Sequence, residues 1–579
     1  MRGDDSARGV ERRPVRTATG LGGPMSPASP ESSPVPADRG LSRVFAATRA
    51  RAILLVTVVA ALLVLPPIGQ RVIATGGYNG DDEARSALLA RDVIDRGVLF
   101  DVHYRWESPF RDKPPLYPWL IAAFSLVGGR VTETTARAPV ALATIGMALF
   151  LFLLGEQLFS RRAGVWAALI AVTSYDVFAN SQLVLPDMLV VCFATMAGWA
   201  FWRATSHPSA RGALPLFYVA VALSVYAKGP LGLVPFLTAA AWISTEYGVR
   251  QVVSRLWSLP GAALFTGITL TWVGPFLALG ARSWLHNSVW GDWLAWYIGV
   301  PRSGPELLYT VMVGFLPWTV LAPLVMASAL RAWKTPAVRF ALLWFTVPLL
   351  VLMASASFKP RYSLSAYPGA ALLVGWWADA HGIARTRADR MIGCLALIGF
   401  LVLAASLNIP RWWHPRVRVY LTGLPWELVP VVVGLTAIGG ALFWGLWSGR
   451  PALLVHGAVL ATAATLGYGI WPYTMRYNEV WNFKQFAGAV DRHAHGAEAA
   501  VFKYQSDEWM SLDFYLARPP LAIETVADLR TFLSRPDRPV VVIDARDWRT
   551  VRPGLAPDVR ALEEMRIGRQ KLLIVSGSS

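Results

Sequence analysis

The chain has 579 residues, 54% of them hydrophobic and only 16% charged, with 26 Trp and a formal net charge of +17. Soluble domains are roughly a quarter charged, so this composition excludes an ordinary soluble globule and, given many apolar runs of spanning length, means a polytopic membrane protein. Arg and Lys cluster between the apolar runs, where the positive-inside rule puts them; nucleic acid is therefore excluded as a partner, and anionic headgroups or a phosphorylated substrate take its place.

Residues 1–50 are rich in Arg, Pro, Ser and Gly and read as a disordered cytoplasmic tail. Arg12-Arg13 lies too far from the apolar run that begins near Ile53 to mark a processed signal, so that run is expected to stay as an anchor. A membrane domain over 51–473 follows, with about thirteen candidate spans at 52–70, 135–158, 163–181, 184–203, 212–228, 230–246, 258–280, 306–330, 338–355, 363–380, 390–409, 425–447 and 452–471. The segment 116–127 is apolar but short, and is expected to be interfacial or re-entrant within a first outer loop spanning 71–134.

With the tail inside, the short basic connections at Arg161-Arg162, 203–211, 250–255, 331–339 and 385–390 are cytoplasmic. Two outside segments, 71–130 and 411–418, are basic as well; the first is long, where the rule is weak, and no account offers itself for the second. Trp284, Trp290, Trp293, Trp296 and Tyr297 in the outside segment 282–305 suit a headgroup belt. Cys192 and Cys394 both sit in apolar runs and support neither a disulfide nor a thiolate site.

Beyond Trp471 the pattern changes. Residues 475–579 mix charge with the β-rich runs Ala499-Ala500-Val501-Phe502 and Val540-Val541-Val542-Ile543 and with helix-like stretches at 483–493 and 526–533. They read as a small soluble α/β domain, which an odd number of spans places outside the cytoplasm. No Walker or dinucleotide glycine motif occurs, so neither ATP-driven nor NAD-dependent chemistry is expected.

The charged motifs point to a site. Asp81-Asp82-Glu83 with Arg85 follow the first apolar run, and Arg111-Asp112-Lys113 precede Pro114-Pro115. An N-cap needs one carboxylate, not three; an interfacial Asp82 suits a general base that takes the proton of an attacking acceptor. Lys113 suits a group that neutralises a departing phosphate, against the plainer reading of a salt-bridged turn. For Asp187, at the head of a span beside Pro186, capping and a site role are both open. Lys228 before Gly229-Pro230 is either a snorkelling lysine or an ammonium held on a fixed break. Lys359, Arg361 and Tyr362 form a third basic group, with Arg361 fit for bidentate phosphate binding. On the expected topology all of these emerge on one non-cytoplasmic face. His286 with loose carboxylates is a weak metal signal and reads as an interfacial loop residue.

In this order, Gly-Asp-Asp-Glu-Ala-Arg, Phe-Arg-Asp-Lys-Pro-Pro, Leu-Pro-Asp-Met, Ala-Lys-Gly-Pro and Phe-Lys-Pro-Arg-Tyr-Ser resemble the motifs of the GT-C glycosyltransferases, in the branch of bacterial aminoarabinose transferases and protein O-mannosyltransferases. The resemblance runs from about residue 53 to 377. It implies a mainly α, multi-pass enzyme of the bacterial inner membrane that moves a sugar, with inversion, from a polyprenyl-phosphate carrier to a lipid, glycan or protein acceptor outside the cytoplasm.

By motif, Asp82, Glu83 and Asp187 fall at the family's acidic catalytic-region positions. Lys113 and Lys228 fall at its phosphate-binding lysines, with Arg85, Lys359, Arg361 and Tyr362 beside them. The family commonly has Glu where Asp112 stands, and in aminoarabinose transferases that carboxylate joins a histidine at a metal. Asp112 and His286 are the candidates here, so a divalent metal stays open while no cofactor is obligatory. A transporter or flippase is the first rival, though such proteins hold charges near the midplane and often repeat their halves. A non-catalytic platform that binds a lipid-linked sugar is the second.

Overall fold

The computed structural model of the protein describes residues 48–74, 82–103, 113–207, 209–295, 304–355, 359–380, 386–407, 425–503, 506–568 and 570–577. Each apolar run folds as one helix or as two in series. Among the described residues seven helices are long and apolar enough to cross a membrane, or eight if the bent pair Gly304–Gly314 and Trp318–Arg331 is one span. The remaining candidates are short helices, such as Arg49–Val64 and Ala213–Lys228, or broken ones. Leu116–Ser125 is ten residues long and rises about 15 Å, half of a hydrocarbon core of about 30 Å.

Two breaks shape the interior. The run 163–181 divides into Arg161–Val172 and Tyr175–Asn180. Between them the Thr173 and Ser174 hydroxyls donate back to the Leu169 and Ala171 carbonyls at 2.6 and 2.7 Å, a competition that loosens helices. The run 306–330 bends by 107° around Pro317, which has no N–H to continue the helix. The two breaks dock on each other: Tyr175 N–H donates to the Leu316 carbonyl at 3.0 Å, and Trp318 Nε1 to Thr173 Oγ1 at 3.2 Å. Elsewhere helices pack closely through small residues; a Cβ on Gly155 would stand 2.7 Å from the Gly164 Cα.

The Glu133–Leu158 helix defines two ends of the molecule. A capping box starts it, with Thr132 and Thr135 exchanging side-chain and backbone bonds, and its 26 residues rise about 39 Å. At its far end Glu156 pairs with Arg49 at 2.9 Å and with Arg161 at 3.0 Å, while Asp379 holds Arg162 and Ser160. At its near end Glu133 meets the C-terminal domain through Lys484 at 2.7 Å and Tyr515 at 3.2 Å.

That domain follows the long helix Pro451–Val480, which runs on past residue 475 before turning at Trp481. Its strands are β1 (Ala499–Phe502), β2 (Leu521–Ile523), β3 (Val540–Asp544), β4 (Arg560–Ile567) and β5 (Gln570–Ser576), in the order β2-β1-β3-β5-β4. β1 is parallel to β2 and β3, and β5 is antiparallel to β3 and β4. Alternate residues of β3 feed two cores: Val540 and Val542 join Phe486, Val490 and Leu512 on one face, while Val541 and Ile543 join Leu529 and Phe532 on the other. The expected α/β domain is therefore present, covered by helices on both faces. It seats against the helix Asp82–Arg96, where Arg91 donates to the Asp513 and Phe514 carbonyls at 3.1 and 3.3 Å.

Candidate active site

Five elements end at one pocket beside that domain. Asp82 opens the helix Asp82–Arg96, where the helix dipole favours a carboxylate. Lys113 stands just before Pro114-Pro115, which lead into Leu116–Ser125. Asp187 begins the helix Asp187–Ser206, and Lys228 ends the helix Ala213–Lys228. Lys359 and Arg361 flank the first residue of the 3-10 turn Pro360–Ala366. The pocket's walls include Leu89, Val102, Pro118 and Trp119; sites for small ligands have this mixture of apolar walls and few polar groups.

Local structure fixes each charge. Gly229 has φ of 79°, and a Cβ there would lie 3.0 Å from the Trp293 ring; glycine lets the chain turn sharply directly after Lys228. The 3-10 turn is held by Ser363, which donates to the Pro360 carbonyl at 2.8 Å, and by Tyr367, which lies 3.1 Å from Ser363 Oγ and donates to Asp176 at 2.9 Å.

The Asp82 carboxylate accepts from Lys113 at 3.0 Å, pairs with Arg85 at 3.3 Å and Lys359 at 3.7 Å, and is held closely by Arg361. Asp187 pairs closely with Lys228 and lies 3.5 Å from Arg361 Nε. Lys228 Nζ also stands 4.3 Å from the centre of the Tyr362 ring, a cation–π contact. Both carboxylates are thus paired with cations: at this helix start the cap residue is Pro186 and no side-chain cap bond forms, and the Lys228 side chain, 11% exposed, lies against Asp187. Among the described residues five cations surround two carboxylates, a gathering that suits a phosphate.

Burial alone would raise the Asp82 pKa, but Lys113, Arg361 and Lys359 hold it well below the usual carboxylate range. Burial pulls the Lys359 pKa down, with Asp82 opposing. A carboxylate so stabilised is a firm hydrogen-bond acceptor and a weak base while its cations stay in place.

Sequence reasoning grouped Glu83 with Asp82 as catalytic, and the structure separates them. One residue turns a helix by about 100°, so Glu83 leaves the pocket for a buried nest formed by Arg71 at 2.5 Å, the Val184 N–H at 3.0 Å and Arg137 at 3.8 Å. Arg137 was missed by the sequence reading; its signal is an arginine inside an apolar spanning run, a placement that normally has a purpose. Asp112 lies outside the described residues. His286 is exposed, and among the described residues no three His, Cys, Asp or Glu side chains gather as a metal site. The described residues therefore supply no ligand set, and no step is routed through a metal.

Residues 112–274 match the family model of dolichyl-phosphate-mannose-protein mannosyltransferases, a stretch that holds Lys113, Asp187 and Lys228. Over 393 residues the chain is 25% identical to the undecaprenyl phosphate-alpha-4-amino-4-deoxy-L-arabinose arabinosyl transferase of Shewanella sediminis, covering 65% of this chain and 69% of that one. The enzyme of the same name from Edwardsiella ictaluri is 26% identical over 414 residues, with 66% and 72% covered. Among solved structures, ArnT from Cupriavidus metallidurans bound to undecaprenyl phosphate superposes with a TM-score of 0.73 at 18% identity, covering 91% of this chain and 98% of that one. The chain has the GT-C fold. Its resemblance to the GT-C glycosyltransferases, expected from the ordered motifs, therefore extends over the multi-pass membrane domain and the small C-terminal sheet domain together.

Proposed function

We propose that the protein is an inverting glycosyltransferase that takes a pentose-type sugar from an undecaprenyl-phosphate carrier and transfers it to a cell-envelope acceptor, a lipid, glycan or protein. The observation that carries this reading is the gathering of Arg85, Lys113, Lys228, Lys359 and Arg361 around Asp82 and Asp187 at one pocket. The names of the relatives supply the carrier and the class of sugar. The end of the molecule that bears the pocket and the C-terminal domain faces away from the cytoplasm in this reading, and the end with Arg49, Arg161 and Arg162 faces it, as the positive-inside rule requires.

In the reaction, an acceptor oxygen forms a bond to the anomeric carbon as the bond from that carbon to the carrier phosphate breaks. The phosphate leaves with the electron pair, onto Lys113, Lys228 and Arg361, and the proton of a hydroxyl acceptor passes to Asp82. A phosphate entering the pocket draws Lys113 and Arg361 from the Asp82 carboxylate and so strengthens it as a base at the moment it is needed. Asp82 also orients the acceptor, and the donor ester supplies its own leaving group, so no nucleotide takes part.

The test is transfer in proteoliposomes from undecaprenyl-phosphate-linked 4-amino-4-deoxy-arabinose, read by mass spectrometry of the lipid products. Asp82→Asn is expected to lower kcat by about 100-fold or more, the span of general-base effects. Undiminished transfer by that variant removes Asp82 from the mechanism. Wild-type protein that moves no carrier-linked sugar at all ends the reading itself.

A further inference from the structure

We infer that Glu83 is a positioning residue that sets Asp82 against Asp187. Its Oε1 pairs with Arg71 at 2.5 Å, and its Oε2 accepts the backbone N–H of Val184 at 3.0 Å. Val184 lies three residues before Asp187 on the segment that presents it. One side chain, adjacent to Asp82 in the chain, thereby grips the strand of backbone that carries the second carboxylate. Arg137 closes the arrangement: it stands 3.8 Å from Glu83 and donates to the Gln182 carbonyl at 2.9 Å and the Arg71 carbonyl at 2.7 Å. Arg71 is held in turn over the Tyr477 ring at 4.7 Å.

All three charged side chains are buried, Arg71 at 7%, Glu83 at 4% and Arg137 at 1% exposure. A buried charge with fixed partners has little freedom to rearrange, because each partner that leaves strands another. The nest therefore transmits a fixed spacing to the pocket without touching the substrate. Among the described residues Glu83 pairs with Arg71 and Arg137, neither of which lines the pocket, so the nest stands apart from the pocket's cations.

Glu83→Gln in the full-length protein tests this, in two measurements. The first rests on the proposed transferase reading: kcat is expected to fall at least tenfold, while titration with undecaprenyl phosphate gives an affinity within twofold of wild type. Unchanged kcat, or a parallel loss of carrier-phosphate binding, overturns the proposal. The second needs no catalysis: hydrogen–deuterium exchange is expected to quicken together in the segments 82–96 and 181–188. Acceleration confined to 82–96 overturns the proposal even if the protein proves to have some other activity. Should Glu83→Gln not accumulate in the membrane, Arg71→Lys replaces it, since lysine keeps the charge but lacks the planar fork, and the same two readouts apply with a smaller loss.

Discussion

The two ends of the long helix Glu133–Leu158 use the same residue types in opposite ways. At the far end, Arg49, Arg161 and Arg162 pair with Glu156 and Asp379, with arginine side chains 52%, 39% and 45% exposed. Water screens such pairs, which contribute little and have no need of a ligand. At the near end Arg361 and Lys228 are 7% and 11% exposed, and among the described residues they and the more exposed Arg85, Lys113 and Lys359 gather at two carboxylates. Desolvation ties the buried Arg361 and Lys228 to their carboxylates, because a buried charge that loses its partner is costly. Burial, not the number of arginines, separates a site from a topological signal.

The contrast breaks most readily at Lys228. Lys228→Met leaves Asp187 with only the 3.5 Å contact to Arg361, and breaking a buried pair in this way is destabilising by about 3–5 kcal/mol. A clear fall in the thermal midpoint in detergent is expected, together with at least tenfold weaker binding of undecaprenyl phosphate; an unmoved midpoint would place the pair among the screened ones.

A smaller effect comes from pH. The folded pKa of Asp82 is depressed, so its contribution to stability is complete above its unfolded value of about 3.9 and is lost as pH falls through the folded pKa. Wild-type stability should therefore drop below about pH 4 more steeply than that of Asp82→Asn, the two running parallel from about pH 5 to 8; melting curves from about pH 2 to about pH 8 check it. The smallest effect belongs to the far end. Arg162→Ala is expected to change stability by less than about 1 kcal/mol and to leave transfer unchanged. A large loss of transfer from that variant would erase the distinction between the two ends.

Much of the site was legible because its charges interrupt apolar runs, where any charge needs a reason. Asp82, Lys113, Asp187, Lys228 and Arg361 were each visible in this way, and the structure brings all five to one pocket. Glu83 was visible too, but a run of three acids does not say which of them faces the pocket. Its true partners, Arg71, Arg137 and the Val184 N–H, are distant in sequence or hidden in backbone. The breaks at Thr173-Ser174 and Pro317 were likewise read as continuous spans. Both halves of each run are apolar, and hydropathy averages over a bend as readily as over a straight helix.

From its sequence alone the chain was bound to be a multi-pass membrane protein with a terminal α/β domain and acid and base groups at the ends of its apolar runs. Those properties follow from transfer of apolar side chains out of water and from the period of side chains along a strand, both local in the chain. Only the tertiary structure decided which carboxylate meets the cations and where the spans break. Such choices depend on contacts between residues tens to hundreds of positions apart, and burial multiplies the energy of each charged contact in a way no local pattern records.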